Sequence, residues 1–525
     1  MTGQTWWVSH PTPSRFLRAS ARLGAMLLLL SQAALAQFSQ DGNKLVGMLA
    51  TGNSQQGHSV AISADGATAI VGGPDDNSSA GAAWVFTVSG GVWTQQSGKL
   101  VGTGAVGNAG QGYAVALSAD GDTAVVGGPY DNSEAGAAWV YTRSGGVWSQ
   151  VGEKLVGSGA VGSADQGGSV ALSADGAAAI VGGFADNSYA GAAWIFTLSG
   201  GVWSQQGDKL VGSGAVGGAS QGYSVALSAD GNTAIVGGED DDSYAGAAWV
   251  YTLSGGVWTQ QGEKLVGTDA VGAAHQGGSV ALSATGATAV VGGSDDDSGV
   301  GAAWVFIRRG AVWKHQGEKL VGSGAAGTAD QGWSVALSAD GDSAVVGGPF
   351  DNSGAGATWV FTRSGAAWKQ QGDKLVGSGA VGGAGQGWSV AMSGDGSAAV
   401  VGGQYDNSNA GAAWVFVQPL AVSPYTDIAA SGTKGGPFSP PSSSFTLSAT
   451  SGSVKYSIAD VPSWLTASSK SGTATTAGAT VTFTVNASAD KLKSGAYSGT
   501  IEIKNNDKDS PQPIITRTAT LTVTP

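Results

Sequence analysis

The chain has 525 residues and a formal charge of -13, with only 12% charged residues but 42% hydrophobic ones, 90 Gly and 18 Trp. That apolar content excludes a disordered Gly-rich linker, no collagen-like triplet period is present, and the acidic balance argues against nucleic acid or anionic membrane as a partner. There is no Cys, so neither a disulfide nor a lipoprotein anchor can be made.

Residues 1–36 read as a signal peptide. Arg15, Arg18 and Arg22 precede the apolar run Leu23 to Leu30, and Ala34-Leu35-Ala36 supplies a small-x-small cleavage pattern. The run is too short for a bilayer span, so the expected product is a secreted, extracellular or cell-envelope protein with no membrane span. Cleavage before Gln37 takes the charge to -16.

From there the chain repeats with a period of 55 residues, marked by Gly57, Gly112, Gly167, Gly222, Gly277, Gly332 and Gly387. Four short strands are predicted per unit. In the second they are the segment around Val115 and Leu117, Thr123 to Val126, Ala137 to Thr142, and Val147 to Val156 with an interruption at Gly152. Asp120-Gly121 is a tight-turn signal. The inner strand is built from Ala, Ser and Val, whereas the outer ones carry Trp139, Tyr141 and Trp148, a gradient that suits a blade narrow at the axis and wide at the rim.

The seventh unit stops at Trp414-Val-Phe-Val417 without a fourth strand. Lys44-Leu45-Val46-Gly47 lies 55 residues before Lys99-Leu100-Val101-Gly102, and Phe38 lies 55 before Trp93. The expected fold over 37–417 is therefore an all-β, seven-bladed β-propeller, with the strand in 38–47 completing blade seven and removing the open edge.

Periodicity ends after Val417. Residues 418–441, rich in Pro, Gly and Ser, read as a linker and domain entry. Residues 442–525 hold alternating segments such as Ala479-Thr-Val-Thr-Phe-Thr-Val and Thr518-Ala-Thr-Leu-Thr-Val, which predict a C-terminal β-sandwich with Trp464 in its core.

The elements Gly222-Tyr-Ser-Val-Ala, Val126-Gly-Gly-Pro and Gly246-Ala-Ala-Trp-Val-Tyr resemble the FG-GAP repeat family, which includes the integrin-α type propeller. The resemblance covers about residues 38 to 417 and implies a propeller used in extracellular recognition or adhesion. Two departures stand out: Gln-Gly, as at Gln111-Gly112, replaces the family's Phe-Gly, and a short Ser-Ala-Asp-Gly turn replaces the calcium loop found in many members. One Asp cannot supply the six or more oxygens that calcium takes. The later segment is similar to BACON-like, immunoglobulin-type domains through Gly435-Gly-Pro-Phe-Ser-Pro, Pro462-Ser-Trp-Leu-Thr and Ser494-Gly-Ala-Tyr-Ser-Gly-Thr-Ile. Such domains are associated with carbohydrate attachment, or serve as spacers.

Candidate site residues sit in the loops joining strands two and three. Asp76, Asp131, Asp186, Asp241, Asp296, Asp351 and Asp406 would form a ring of seven carboxylates, either capping their own turns or binding a repeated ligand. If calcium binds, Asp240-Asp241-Asp242 and Asp295-Asp296-Asp297 are the favoured copies. Tyr113, Tyr223, Trp333 and Trp388, in the position after the register Gly, could stack on sugars or simply fill space. The Lys of each Lys-Leu-Val-Gly reads as edge protection.

His58, His275 and His315 occupy three different registers, and no Ser-His-Asp or zinc spacing surrounds them, so no catalytic group and no cofactor are expected. The expected function is non-enzymatic recognition or adhesion through the polar loop face, with an extracellular protein or glycan as partner. A multivalent lectin and a structural surface scaffold are the alternatives, and a polysaccharide-active enzyme is the remote one.

Overall fold

Branched and aromatic residues in runs of four to eight, separated by Gly-containing turns, favour short antiparallel strands over helices. The computed structural model describes residues 38–423, 427–449, 453–475, 477–506 and 515–525, so the expected signal peptide lies outside the described residues. In the second unit Ala114–Leu117, Thr123–Gly128, Ala137–Ser144 and Val147–Gln150 pair in order as an antiparallel sheet. The fourth strand is shorter than the sequence suggests: positive φ at Gly152 turns the chain away, and Leu155 returns only as a single bridge to Ala138.

Six consecutive units make such four-stranded sheets, a propeller-like repeat of blades. The seventh sheet contains Ser389–Met392, Ala398–Gly403 and Ala412–Val417, and its fourth member is Ser39–Gln40. Ser39 pairs with Val417 and Gln40 with Phe416, while Leu45 bridges Ala413 as Leu100 bridges Ala83.

The hydrophobic clusters lie between units. One joins Val60, Trp84 and Phe86 of the first unit to Leu45 and to Val400 and Val415 of the seventh. At the centre of each sheet stands a fully buried Trp, in the second unit Trp139, whose Nε1 donates to Thr103 O at 2.8 Å. Its ring lies so close to Gly102 that a Cβ there would fall 2.2 Å from Trp139 Cδ1. The same contact recurs at Gly47 against Trp84, which accounts for the Leu-Val-Gly motif. The Gln before the register glycine also holds this glycine. Gln111 Oε1 accepts from Gly102 N at 2.5 Å, and Nε2 donates to Gly102 O at 3.1 Å.

On the opposite face Asp120 closes the first hairpin as an Asx turn, accepting from Ser118 Oγ and Asp122 N at 2.5 and 2.9 Å. Neighbouring hairpins are joined by a belt of main-chain bonds, each 2.9 Å, in which Ala64 N donates to Ala119 O and Ala119 N to Ala174 O. The belt runs on through Ala229, Ala284 and Ala339 to Gly394, whose N–H donates to Ala64 O.

The C-terminal region has two sheets. Leu420–Ser423, Ser442–Ala449, Ala479–Val485 and Leu465–Ala467 form one, and six strands including Ile428–Thr433, Gly495–Asn505 and Ile515–Thr524 form the other. Trp464 is buried in their shared core. Of the linker and domain entry expected over 418–441, the linker is corrected here: the sheets already begin at Leu420. Leu420, Val422 and Ile428 are almost wholly buried, because alternating apolar residues between the Pro and Gly positions supply strands to both sheets. Among the described residues no helix is long and apolar enough to cross a membrane.

Candidate functional site

The loops between strands two and three stand beside the segments that enter the next unit, tied to them by bonds such as Gly110 N to Ser79 O at 2.9 Å. In all seven loops the residue after the key Asp begins a short left-handed turn, for example Asn132 at φ 50° and Ser133 at φ 57°. Consecutive left-handed residues are costly for L-amino acids, so the turn must be held from outside.

The holding group is the Asp itself, and this corrects the reading of a ligand ring. Asp131 is 1% exposed; one oxygen accepts from Val106 N at 2.7 Å and the other from Lys154 Nζ at 2.5 Å. Asp76, Asp186, Asp241, Asp296 and Asp351 are buried in the same way on Lys99, Lys209, Lys264, Lys319 and Lys374. Asp406 is buried on Lys44 from the N-terminal segment. Both oxygens of each carboxylate face protein donors, so these seven residues fasten loops and present nothing to solvent. The lysines are their partners and not edge guards. For calcium this removes Asp241 and Asp296 from the two acidic triplets, leaving Asp240, Asp242, Asp295 and Asp297 nearer the surface.

The position after the register Gly has a different fate. His58, Tyr113, Gly168, Tyr223, Gly278, Trp333 and Trp388, one from each unit, converge on a single cavity of about 170 Å³. Trp333 and Trp388 stand 4.6 Å apart between ring centroids, and His58 lies 6.0 Å from Trp388 and 4.5 Å from Tyr113. Where the ring of side chains would be broken by Gly, another residue enters. A Cβ on Gly168 would lie 3.2 Å from Phe184 Cε1, and one on Gly278 would lie 2.9 Å from Glu239 Oε2. Phe184 and Glu239 are the residues that sequence reasoning missed, since they look like variable loop tips. The signal was their pairing with the two Gly positions.

The wall of this cavity is uncharged and its surroundings are acidic. Burial holds the His58 imidazole down to about 4 and pushes the Tyr113 and Tyr223 hydroxyls up. Glu239 is pushed up to about 8, first by burial and then by the neighbouring Asp240 carboxylate, so it carries a proton at neutral pH. Asp165 and Asp330 are raised to about 6 by burial, helped by Glu134 and Asp295 respectively.

The depressed His58 has a measurable consequence. Below about pH 6.5 the unfolded chain takes up a proton that the folded chain refuses until about pH 4, so stability falls across that window, by up to about 3 kcal/mol. Asp165 and Asp330 act in the opposite sense, because their raised values let the folded state bind protons first as pH falls from about 6. We expect a His58→Tyr variant, with the residue that the second and fourth units carry, to lose less stability than the native protein between pH 6.5 and 4.5. Parallel melting-temperature profiles would exclude His58 as the source.

The sequence matches no protein-family model and no curated protein. Among solved structures, a chain of Kuenenia stuttgartiensis Hydrazine Synthase is similar at a TM-score of 0.43 and 14% identity, over 68% of this chain and 95% of that one. A likeness of that degree carries no functional argument.

Proposed function

We propose that this is an exported recognition protein of the FG-GAP type, a seven-bladed propeller closed by its N-terminal strand and followed by an immunoglobulin-like sandwich. The pairing of Ser39 with Val417 and the hairpin belt from Ala64 round to Gly394 support the ring. Its function is to hold the terminal sugar of a glycan in the central cavity, without turnover.

The observation that carries this reading is the convergence of aromatic side chains on one cavity. Trp and Tyr faces suit the apolar face of a pyranose, and the protonated Glu239 and the Tyr hydroxyls can donate to its oxygens. The cavity is smaller than the about 300–1,000 Å³ of pockets for drug-sized ligands, which fits a single sugar residue. Because the seven positions meet at one place, the protein offers one site and not seven, and binding is monovalent.

A glycan array followed by calorimetry tests it. We expect one sugar bound per chain, with affinity reduced at least about tenfold in Trp388→Ala, the loss expected when a stacked aromatic is truncated. Silence on the array, or binding that survives Trp333→Ala and Trp388→Ala together, would return the propeller to the role of a scaffold.

A further inference from the structure

At the margin of the central cavity the fourth unit differs from the other six. Glu239 and Asp240 stand side by side in its loop, and His275 stands in the segment that leads into the fifth unit. One donor atom from each lies within 4.8 Å of the others. In the remaining units these three positions hold Pro74, Asp75 and Gly110, or Phe184, Ala185 and Ser220, or similar sets, none with three groups able to ligate a metal.

The donors are held in place. His275 N donates to Tyr244 O at 2.9 Å, and its ring stacks on Tyr244 with centroids 5.1 Å apart and planes at 22°. Its Nε2 also lies 3.2 Å from Asp295 Oδ2, so a further carboxylate stands beside the three donors. Asp240 Oδ2 accepts from Ser220 Oγ at 2.6 Å, leaving Oδ1 for another partner. Charge points the same way. The loops on this face, from the 2–3 turn and from Leu-Val-Gly to the register Gly, contain no Lys or Arg in any unit. The seven lysines at their edge are already committed to the buried Asp residues. Carboxylates gathered without a counter-cation favour a bound cation.

We propose that Glu239, Asp240 and His275 form a binding site for a divalent transition-metal ion at the edge of the central cavity. An imidazole nitrogen with two carboxylates, Glu239 releasing its proton to solvent as the ion binds, suits zinc or manganese, whereas calcium takes six to eight oxygens. Three protein donors leave a coordination position open, and Glu239 also lines the cavity, so that position faces whatever the cavity holds.

The untagged protein, stripped with a chelator, is titrated with zinc and separately with calcium, by calorimetry and by thermal melting, in the absence of any sugar. We expect one zinc per chain, a rise in melting temperature on binding, and zinc affinity at least about tenfold above that for calcium. His275→Ser, which installs the residue of the third unit, and Glu239→Gln should each weaken zinc at least about tenfold while leaving the metal-free melting temperature near native. His315→Ser, remote from the cluster, should bind as the native protein does. No zinc uptake, equal affinity for calcium, or zinc binding indifferent to His275→Ser would overturn the proposal. The titration is read without sugar, so its outcome is independent of the glycan reading.

Discussion

A chain beginning at Gly57 is expected to lose its cooperative unfolding transition and to aggregate. Removing the preceding segment takes Phe38 and Leu45 out of their clusters, where they are 5% and 4% exposed, at a cost of about 1.5–3 kcal/mol each. It also strips Lys44 from the buried Asp406, and leaves the Ala412–Val417 strand as an unpaired edge rich in apolar residues. A buried charge without its partner costs about 3–5 kcal/mol, and the sum is comparable with the about 5–15 kcal/mol that stabilises a whole domain. The open strand is also a template for pairing with a second chain. A peptide of residues 37–56 supplied in trans should restore the native transition by adding the missing strand. A native melting curve from the shortened chain would refute the closing role of the segment.

The second large effect is expected at Asp131. Asp131→Ala leaves the Lys154 ammonium and Val106 N–H without their acceptor, and should cost about 3 kcal/mol. The low end of the range for buried pairs applies because the Lys154 side chain is 19% exposed and partly hydrated. Asp131→Asn keeps an oxygen for Val106 N but turns an amide NH2 toward the Lys154 ammonium, so it should cost about 2–3 kcal/mol. The double change Asp131→Asn with Lys154→Met should be less damaging than Asp131→Ala, because no unpaired charge remains. Urea unfolding midpoints at constant slope decide the matter. Equal stability of the native and Asp131→Ala proteins would mean that the carboxylate fastens nothing, and would reopen it as a ligand.

These two experiments mark where sequence reasoning succeeded and where it was misled. The four strands of each unit follow from alternation and turn residues, which are local, so they could be read directly. The 55-residue offset between Leu45 and Leu100 is likewise a property of the string, and Leu45 bridges Ala413 as Leu100 bridges Ala83. The Asp residues stayed open between cap and ligand because an invariant polar residue in a repeat can mean either. Only the partner decides between them, and Lys154 lies 23 positions away from Asp131. The strands hidden in 418–441 were missed for a related reason: Pro and Gly mark turns within a sheet as readily as a linker outside one.

By itself the amino-acid sequence determined the repeat and the strand count in each unit, since each depends on neighbours within a few residues or on one fixed period. The tertiary structure alone decided which positions meet. Repeating a residue at the same place in seven four-stranded sheets gives it equivalent surroundings each time, so the constant Asp and Lys became structure, while the variable His58, Tyr113, Tyr223, Trp333 and Trp388 were brought to one cavity. Positions separated by multiples of 55 residues line one cavity, and that is a relation no linear pattern contains.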